Sequence, residues 1–170
     1  DNWQSDLGRW IKGGDESETV KIPTYDKSAI GLFDRLYPQD WLQYGISADT
    51  MEKFGIGWYG RKACITIPVW QGDKLVGIRG RYMRTQDTER GKYRPVSDLS
   101  GQVYKYPTNA VLYGYNENKV QIQRSKTAWL VEAEKTVLKF DTWGINNAVA
   151  VFGSNVSKRQ IQMLVELGVN

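Results

Sequence analysis

Trp129-Leu130-Val131-Glu132-Ala133-Glu134-Lys135 reads as a short apolar strand that hands one or two carboxylates to the start of a helix. The C-terminal end of a strand is where open α/β sheets place their chemistry. The residues that follow extend the pattern. Lys135 to about Trp143 is helical in character, and Asn147-Ala148-Val149-Ala150-Val151-Phe152-Gly153 is a second apolar strand. Ser157-Lys158-Arg159-Gln160 is a capping box. It opens a helix expected to turn Ile161, Leu164, Val165 and Leu167 inward and to stop at Gly168. From Thr127 the chain is therefore β-α-β-α, the opening of a parallel sheet, and it stops where a third strand is due.

Upstream the hydrophobic period changes to two. Cys64 to Trp70, the turn Gln71-Gly72-Asp73 and Lys74 to Tyr82 together predict a β-hairpin, with an edge or bulge at Pro68. Alternation puts Val76, Ile78 and Gly80 on one face, so that Arg79 and Arg81 project from the other, about 7 Å apart. With the small Gly77 and Gly80 beside them, such a guanidinium pair suits a phosphate chain. Arg84, Arg90, Lys92, Arg94 and Lys105 follow, interleaved with Tyr82, Tyr93, Tyr104 and Tyr106. Bases among aromatics fit single-stranded nucleic acid, where charge tracks phosphates and rings stack on bases. Tyrosines that simply pack a small sheet would give the same pattern.

Residues 1–60 read as mostly helical, starting with a short amphipathic piece around Leu7, Trp10 and Ile11. Ile30, Phe33 and Leu36 share helical spacing, Pro38 opens a second helix closed by Gly45, and Ser47 caps a third that runs to about Phe54. A DNA-reading helix-turn-helix is disfavoured because Lys53 is the only base on that last helix. Gly13-Gly14-Asp15-Glu16-Ser17-Glu18 is linker-like, so residues 1–20 are expected to form a loosely attached arm.

Composition bounds the chemistry. At 170 residues, 41% hydrophobic and 25% charged, the chain can bury a core. No apolar run reaches the roughly 20 residues of a membrane span, and Asp1-Asn2-Trp3-Gln4 carries no signal pattern, so a cytoplasmic piece of a longer protein is expected. Cys64 is the only cysteine, it sits in an apolar run that suits a core position, and histidine is absent. That composition leaves no zinc cluster and no imidazole base, so carboxylates, hydroxyls and basic groups must carry any reaction. Charge is segregated. Lys and Arg number 6 against 10 Asp and Glu over residues 1–60, 13 against 5 over 61–126, and 4 against 4 over 127–170. The middle third is the place for a polyanion.

Taken in order, these motifs resemble the catalytic core of DnaG-type DNA primases. Trp41 to Ser47 and Phe54-Gly55-Ile56-Gly57 are similar to that family's helical lead-in. Ile65 to Val69 with Gly77-Ile78-Arg79-Gly80-Arg81 resembles its hairpin, Lys92-Tyr93 its lysine-tyrosine motif, and Leu112-Tyr113-Gly114 its leucine-tyrosine-glycine marker. Val131-Glu132-Ala133 resembles the valine-glutamate-glycine motif that opens a toprim fold, with alanine in place of glycine, and residues 147–160 resemble the second toprim strand and its helix. The resemblance implies an α+β fold. A helical lead-in and a small antiparallel basic sheet over residues 21–126 precede the first β-α-β-α half of a toprim, Rossmann-like domain over 127–170. By the same resemblance Glu132 is the catalytic glutamate, a general acid/base or a ligand of Mg²⁺ or Mn²⁺, with the remaining carboxylates, an aspartate-x-aspartate pair, outside the chain. Arg79, Arg81, Arg84, Lys92, Tyr93 and Arg94 would receive nucleic acid and nucleotides. Departures accompany this, among them Pro95 after the lysine-tyrosine motif and a long interval from Lys92 to Leu112.

The implied parent synthesises RNA primers from ribonucleoside triphosphates on a single-stranded DNA template, in partnership with a replicative helicase, and the fragment alone is expected to be inactive. A toprim nuclease and a non-catalytic single-stranded-DNA-binding module are the competing readings. Glu134 and Asp141 raise a further alternative of a metal site with Glu132, against which Glu134 reads as a charge stabilising a helix N-terminus.

Overall fold

The computed structural model describes residues 20–85 and 91–170, so the arm expected over residues 1–20 lies outside the described residues except for Val20. The first helical element among the described residues is a 3-10 turn, Lys27–Leu32, with Asp26 Oδ1 accepting the Ser28 N–H at 2.8 Å. The helix anticipated through Leu36 is cut short there. Asp34 exchanges backbone hydrogen bonds with Trp58 at 2.9 and 2.7 Å, which draws the chain into an extended bridge and leaves Leu36 exposed. Two short helices follow, α1 (Gln39–Gln43) and α2 (Ala48–Lys53). Ser47 caps α2 as its sequence predicts, its Oγ accepting the Thr50 N–H at 3.1 Å.

Four antiparallel strands form the first sheet in the order β1 (Gly57–Tyr59), β2 (Cys64–Gln71), β3 (Lys74–Tyr82) and β4 (Tyr93–Pro95). The hairpin has the anticipated turn, with Gly72 at φ 60°. Its register breaks near Pro68. Val69 faces Gly77 while Trp70 faces Leu75, so Val76 is the extra residue of a bulge. That shift reverses parity, and Val76 joins the opposite hydrophobic cluster from Ile78 instead of sharing its face.

The second half begins with α3 (Tyr115–Ser125), a helix for which the sequence reading made no provision, and continues through β5 (Trp129–Val131), α4 (Glu134–Thr142), β6 (Ala148–Ala150) and α5 (Lys158–Glu166). β5 and β6 pair in parallel, Leu130 opposite Val149. Tyr113 extends this pair by exchanging two 3.0 Å backbone bonds with Ala150. Gly114 follows in the left-handed region, φ 78°, where an added Cβ would stand 2.9 Å from Val137 and 3.1 Å from the Ala148 carbonyl, so the leucine-tyrosine-glycine marker marks a close approach of backbone to helix. The capping box at Ser157 and Gln160 is present. Of the inward set anticipated for the α5 region, Leu164 and Leu167 are buried and Ile161 half-buried, while Val165 is exposed and Met163 takes a buried place instead. The architecture is α+β: a helical lead-in, a small antiparallel sheet, and a β-α-β-α arrangement matching a toprim-like Rossmann subdomain.

Both faces of the first sheet are covered. One carries Phe33, Tyr59, Cys64, Ile78, Tyr82 and Tyr104. The other forms a larger cluster in which Trp41, Ile67 and Val76 pack with Val137, Ala148 and Ala150 of the second half. β2, between neighbours and beneath both clusters, is therefore buried from Cys64 to Val69. A polar seam ties the helices together: Lys53 pairs with Asp141 and donates to Asn118 Oδ1 at 3.2 Å, Thr50 donates to Asp141 Oδ2 at 2.9 Å, and Asn118 donates to the Ala148 carbonyl at 2.8 Å.

Glu117 lies beside this seam, and burial pushes its carboxyl up to about 7, with Lys53 only partly opposing the shift. A raised folded-state pKa means that the native chain holds its proton while the unfolded chain has lost it. Stability should therefore fall as pH rises from the ordinary carboxylate range to about 7, and stay low above it. Urea denaturation of Glu117→Gln at pH 5 and pH 8 should show a smaller loss between the two than the parent chain, by about 1 kcal/mol or more.

Candidate functional site

Glu132 follows β5 directly, on the exposed loop before α4. Glu134, two residues on, is the first residue of α4 and is only 2% exposed. The turn from strand to helix rotates it away from the direction strand parity would give and aims it at the first sheet. There it meets Arg79 of β3, Oε1 to Nη1 at 3.1 Å. Burial drives the Glu134 carboxyl pKa upward, and the guanidinium pulls against that shift.

Arg79 is enclosed. Its guanidinium carbon lies 5.2 Å from the Tyr93 ring centre and 5.6 Å from that of Phe152, and its side chain keeps only 18% of its exposure. Phe152 occupies the loop after β6 at φ 65°, a left-handed conformation that costs a phenylalanine energy. Its ring packs edge-on against Tyr106 at 5.2 Å, completing the enclosure. Tyr106 is itself seated over Gly77, whose added Cβ would fall 2.0 Å from the ring. Gly77 thus makes room for a tyrosine, and Gly80 for Val96 and Tyr82, where the sequence suggested room for a phosphate chain. The Tyr106 hydroxyl, Arg79 Nη1 and Glu134 Oε1 are buried without a well-aligned hydrogen-bond partner, so charge and enclosure carry much of the contact.

Of the basic and aromatic residues singled out in the sequence, the structure brings Arg79, Arg81 and Tyr93 to one face. Arg81 pairs with Asp40 at 3.5 Å, and Tyr93 lies opposite it in the β3–β4 register. Burial raises the Tyr93 hydroxyl pKa, while Arg81 opposes the shift. Lys92 is exposed just before β4 and Arg84 is exposed beyond the end of β3. Arg94 pairs with Gly80 and lies on the other face, its guanidinium carbon 3.5 Å from the Tyr82 ring centre. Tyr82 and Tyr104 are core residues of that face. Asp141 is committed to Lys53 and Thr50, away from Glu132. Among the described residues no group of three or more His, Cys, Asp or Glu could hold a metal ion, and Glu132 alone does not make a site for Mg²⁺ or Mn²⁺.

Sequence reasoning missed the part of Phe152 in enclosing Arg79, the seat of Tyr106 over Gly77 and the inward turn of Glu134. Phe152 carried a usable signal, since it stands in the short loop after a parallel strand, two residues beyond β6.

The fold that positions these residues is similar to that of DnaG primase catalytic cores. The RNA polymerase domain of Mycobacterium tuberculosis primase DnaG, solved with a double-stranded DNA oligomer bearing a 6-nucleotide overhang, superimposes with a TM-score of 0.67 at 19% identity, over 83% of this chain and 57% of that one. The Aquifex aeolicus primase zinc-binding and RNA polymerase domains give 0.65 at 18% identity, over 96% and 51%. A DnaG primase catalytic domain bound to single-stranded DNA gives 0.64 at 15% identity, over 98% and 60%. In sequence, the chain is 35% identical over 156 residues to the SPbeta prophage-derived uncharacterized protein YorJ of Bacillus subtilis (strain 168), covering 88% of this chain and 41% of YorJ. The chain thus spans about two fifths of that relative and a little over half of the primase chains. No family model matches it. Among the described residues no helix is long and apolar enough to cross a membrane.

Breaking a buried ion pair from one side leaves an uncompensated charge. Arg79→Met should therefore destabilise the chain by about 3–5 kcal/mol in urea denaturation, whereas the double change Arg79→Met with Glu134→Leu should recover most of the loss. A single-variant cost below about 1 kcal/mol would show that the pair carries little of the fold.

Proposed function

We propose that this chain is the template-receiving and carboxylate-bearing part of a primase core, within a protein that joins ribonucleotides into primers on single-stranded DNA. The observation that carries the reading is the Arg79–Glu134 contact. It fixes the start of α4, and hence the loop holding Glu132, against the sheet that presents Arg81 and Tyr93. A DNA strand lying on Arg81, Lys92 and Tyr93 would be held through phosphates and ring stacking in a manner indifferent to sequence. The solved primase domain bound to single-stranded DNA supports this placement by its shared fold.

In this reading Glu132 accepts the proton of an attacking 3′-hydroxyl. The oxygen then bonds to the α-phosphorus of a ribonucleoside triphosphate, and pyrophosphate leaves with the electron pair of the broken bond. Arg81 and Arg84 offset the charge of the triphosphate as it arrives. Divalent cations, when bound by the parent protein, would supply further neutralisation of phosphate charge.

The test is primer synthesis on single-stranded DNA by the complete protein that contains this chain. Glu132→Gln should lower product formation by about 100-fold or more while leaving template affinity within about twofold. Unchanged synthesis would remove Glu132 from the reaction, and degradation of the template in place of synthesis would move the protein to the nucleases.

A further inference from the structure

The outer face of α4 carries a feature that the basic sheet does not explain. Tyr44, at the end of α1, and Trp143, at the end of α4, are 51% and 61% exposed, an unusual state for large rings in a chain with a well-filled core. Between them stand Lys135 and Lys139, one helical turn apart. Their ammonium groups lie 3.6 and 3.8 Å from the Tyr44 ring centre, and Lys139 also donates to the Tyr44 carbonyl at 2.7 Å. Phe140 stacks on Trp143 with an interplanar angle of 28° and is met edge-on by Trp129, so the exposed indole is braced from behind. Tyr44, Lys135, Lys139, Phe140 and Trp143, together with Tyr93, line a groove of about 370 Å³.

Charge decides what the groove fits. Among the described residues neither lysine has a carboxylate within ion-pairing distance. Burial and nearby Arg81 and Lys139 disfavour the charged form of Lys135, with Asp40 only partly opposing them, so an arriving anion would relieve these effects. Two cations with no carboxylate at ion-pairing distance among the described residues, beside an exposed, braced ring, suit a phosphate flanked by a stacked base. Tyr93 lines this groove and also faces Arg79, which makes the ledge continuous with the basic sheet.

We propose that Tyr44, Lys135, Lys139 and Trp143 form a second contact for single-stranded nucleic acid, taking one base on the Trp143 indole and its phosphate between the two lysines. This rests on the reading of the chain as a single-strand binder but assigns residues outside the sheet. Both named substitutions fall on exposed or half-buried side chains, and thermal melts check that the variants fold.

The experiment is fluorescence-anisotropy titration of the full chain with labelled oligo(dT) and with an abasic strand of equal length, across a salt series. Trp143→Ala should weaken oligo(dT) binding by at least about fivefold and leave abasic binding unchanged, because only stacking is lost. Lys135→Ala should weaken both strands and reduce the salt slope by about 0.7, one phosphate. If the parent chain binds oligo(dT) and neither variant changes it, the ledge proposal is overturned while the single-strand reading stands. An equal effect of Trp143→Ala on both strands would overturn the stacked base. If the parent chain binds neither strand, the single-strand reading fails and the ledge with it.

Discussion

Glu134 can be buried in the first turn of α4 only because Arg79 reaches it from the neighbouring sheet. Removing a carboxylate from water costs several kcal/mol, and a helix N-terminus repays only part of that. The guanidinium supplies the rest, and it can do so because Tyr93, Tyr106 and Phe152 keep water from competing. The consequence is geometric. A helix whose first residue is pinned cannot slide, so the loop before it, with Glu132 exposed, has a fixed position relative to Arg81 and Tyr93.

The same contact alters the meaning of the positive charge in the middle third of the chain. Arg79 is spent internally, Arg81 is partly answered by Asp40, and Arg94 lies over Tyr82 on the far face. What remains for a polyanion is a narrower strip containing Lys92 and the shared face of Arg81 and Tyr93. Lys135 and Lys139 lie on the adjoining helix. The two halves of the chain share one hydrophobic cluster, with Val76 beside Val137 and Ala148, so that strip and the carboxylate loop move as parts of one packed body.

Local signals were legible in the sequence and tertiary ones were not. Ser47, the Ser157–Gln160 box, the turn at Gly72 and the β-α-β-α alternation depend on residues within a few positions of one another, and each stands where the pattern put it. The α3 helix was hidden because its polar composition gives no apolar stripe. Asn118 is buried there through bonds to Ala148 and Lys53, partners 30 and 65 residues away. Val76 changed faces through a one-residue bulge, and Gly77 was vacated for a tyrosine 29 positions later, which no spacing rule anticipates. In the candidate site Glu132 could be read from its place after a strand, and Arg79 from its parity with Arg81. Their connection through Glu134 could not, because the rotation at a helix start is set by what the side chain finds there.

The claim on which the rest turns is that the basic sheet and the carboxylate strand form one cooperative unit held by Arg79 and Glu134. Native-state hydrogen exchange on the full chain tests it directly, by comparing the opening free energies of amides in β3 and β6 before and after Arg79→Met. One shared opening, lowered equally in both strands by the substitution, is the predicted result. Separate openings, with β6 or β3 indifferent to the loss of Arg79, would contradict it.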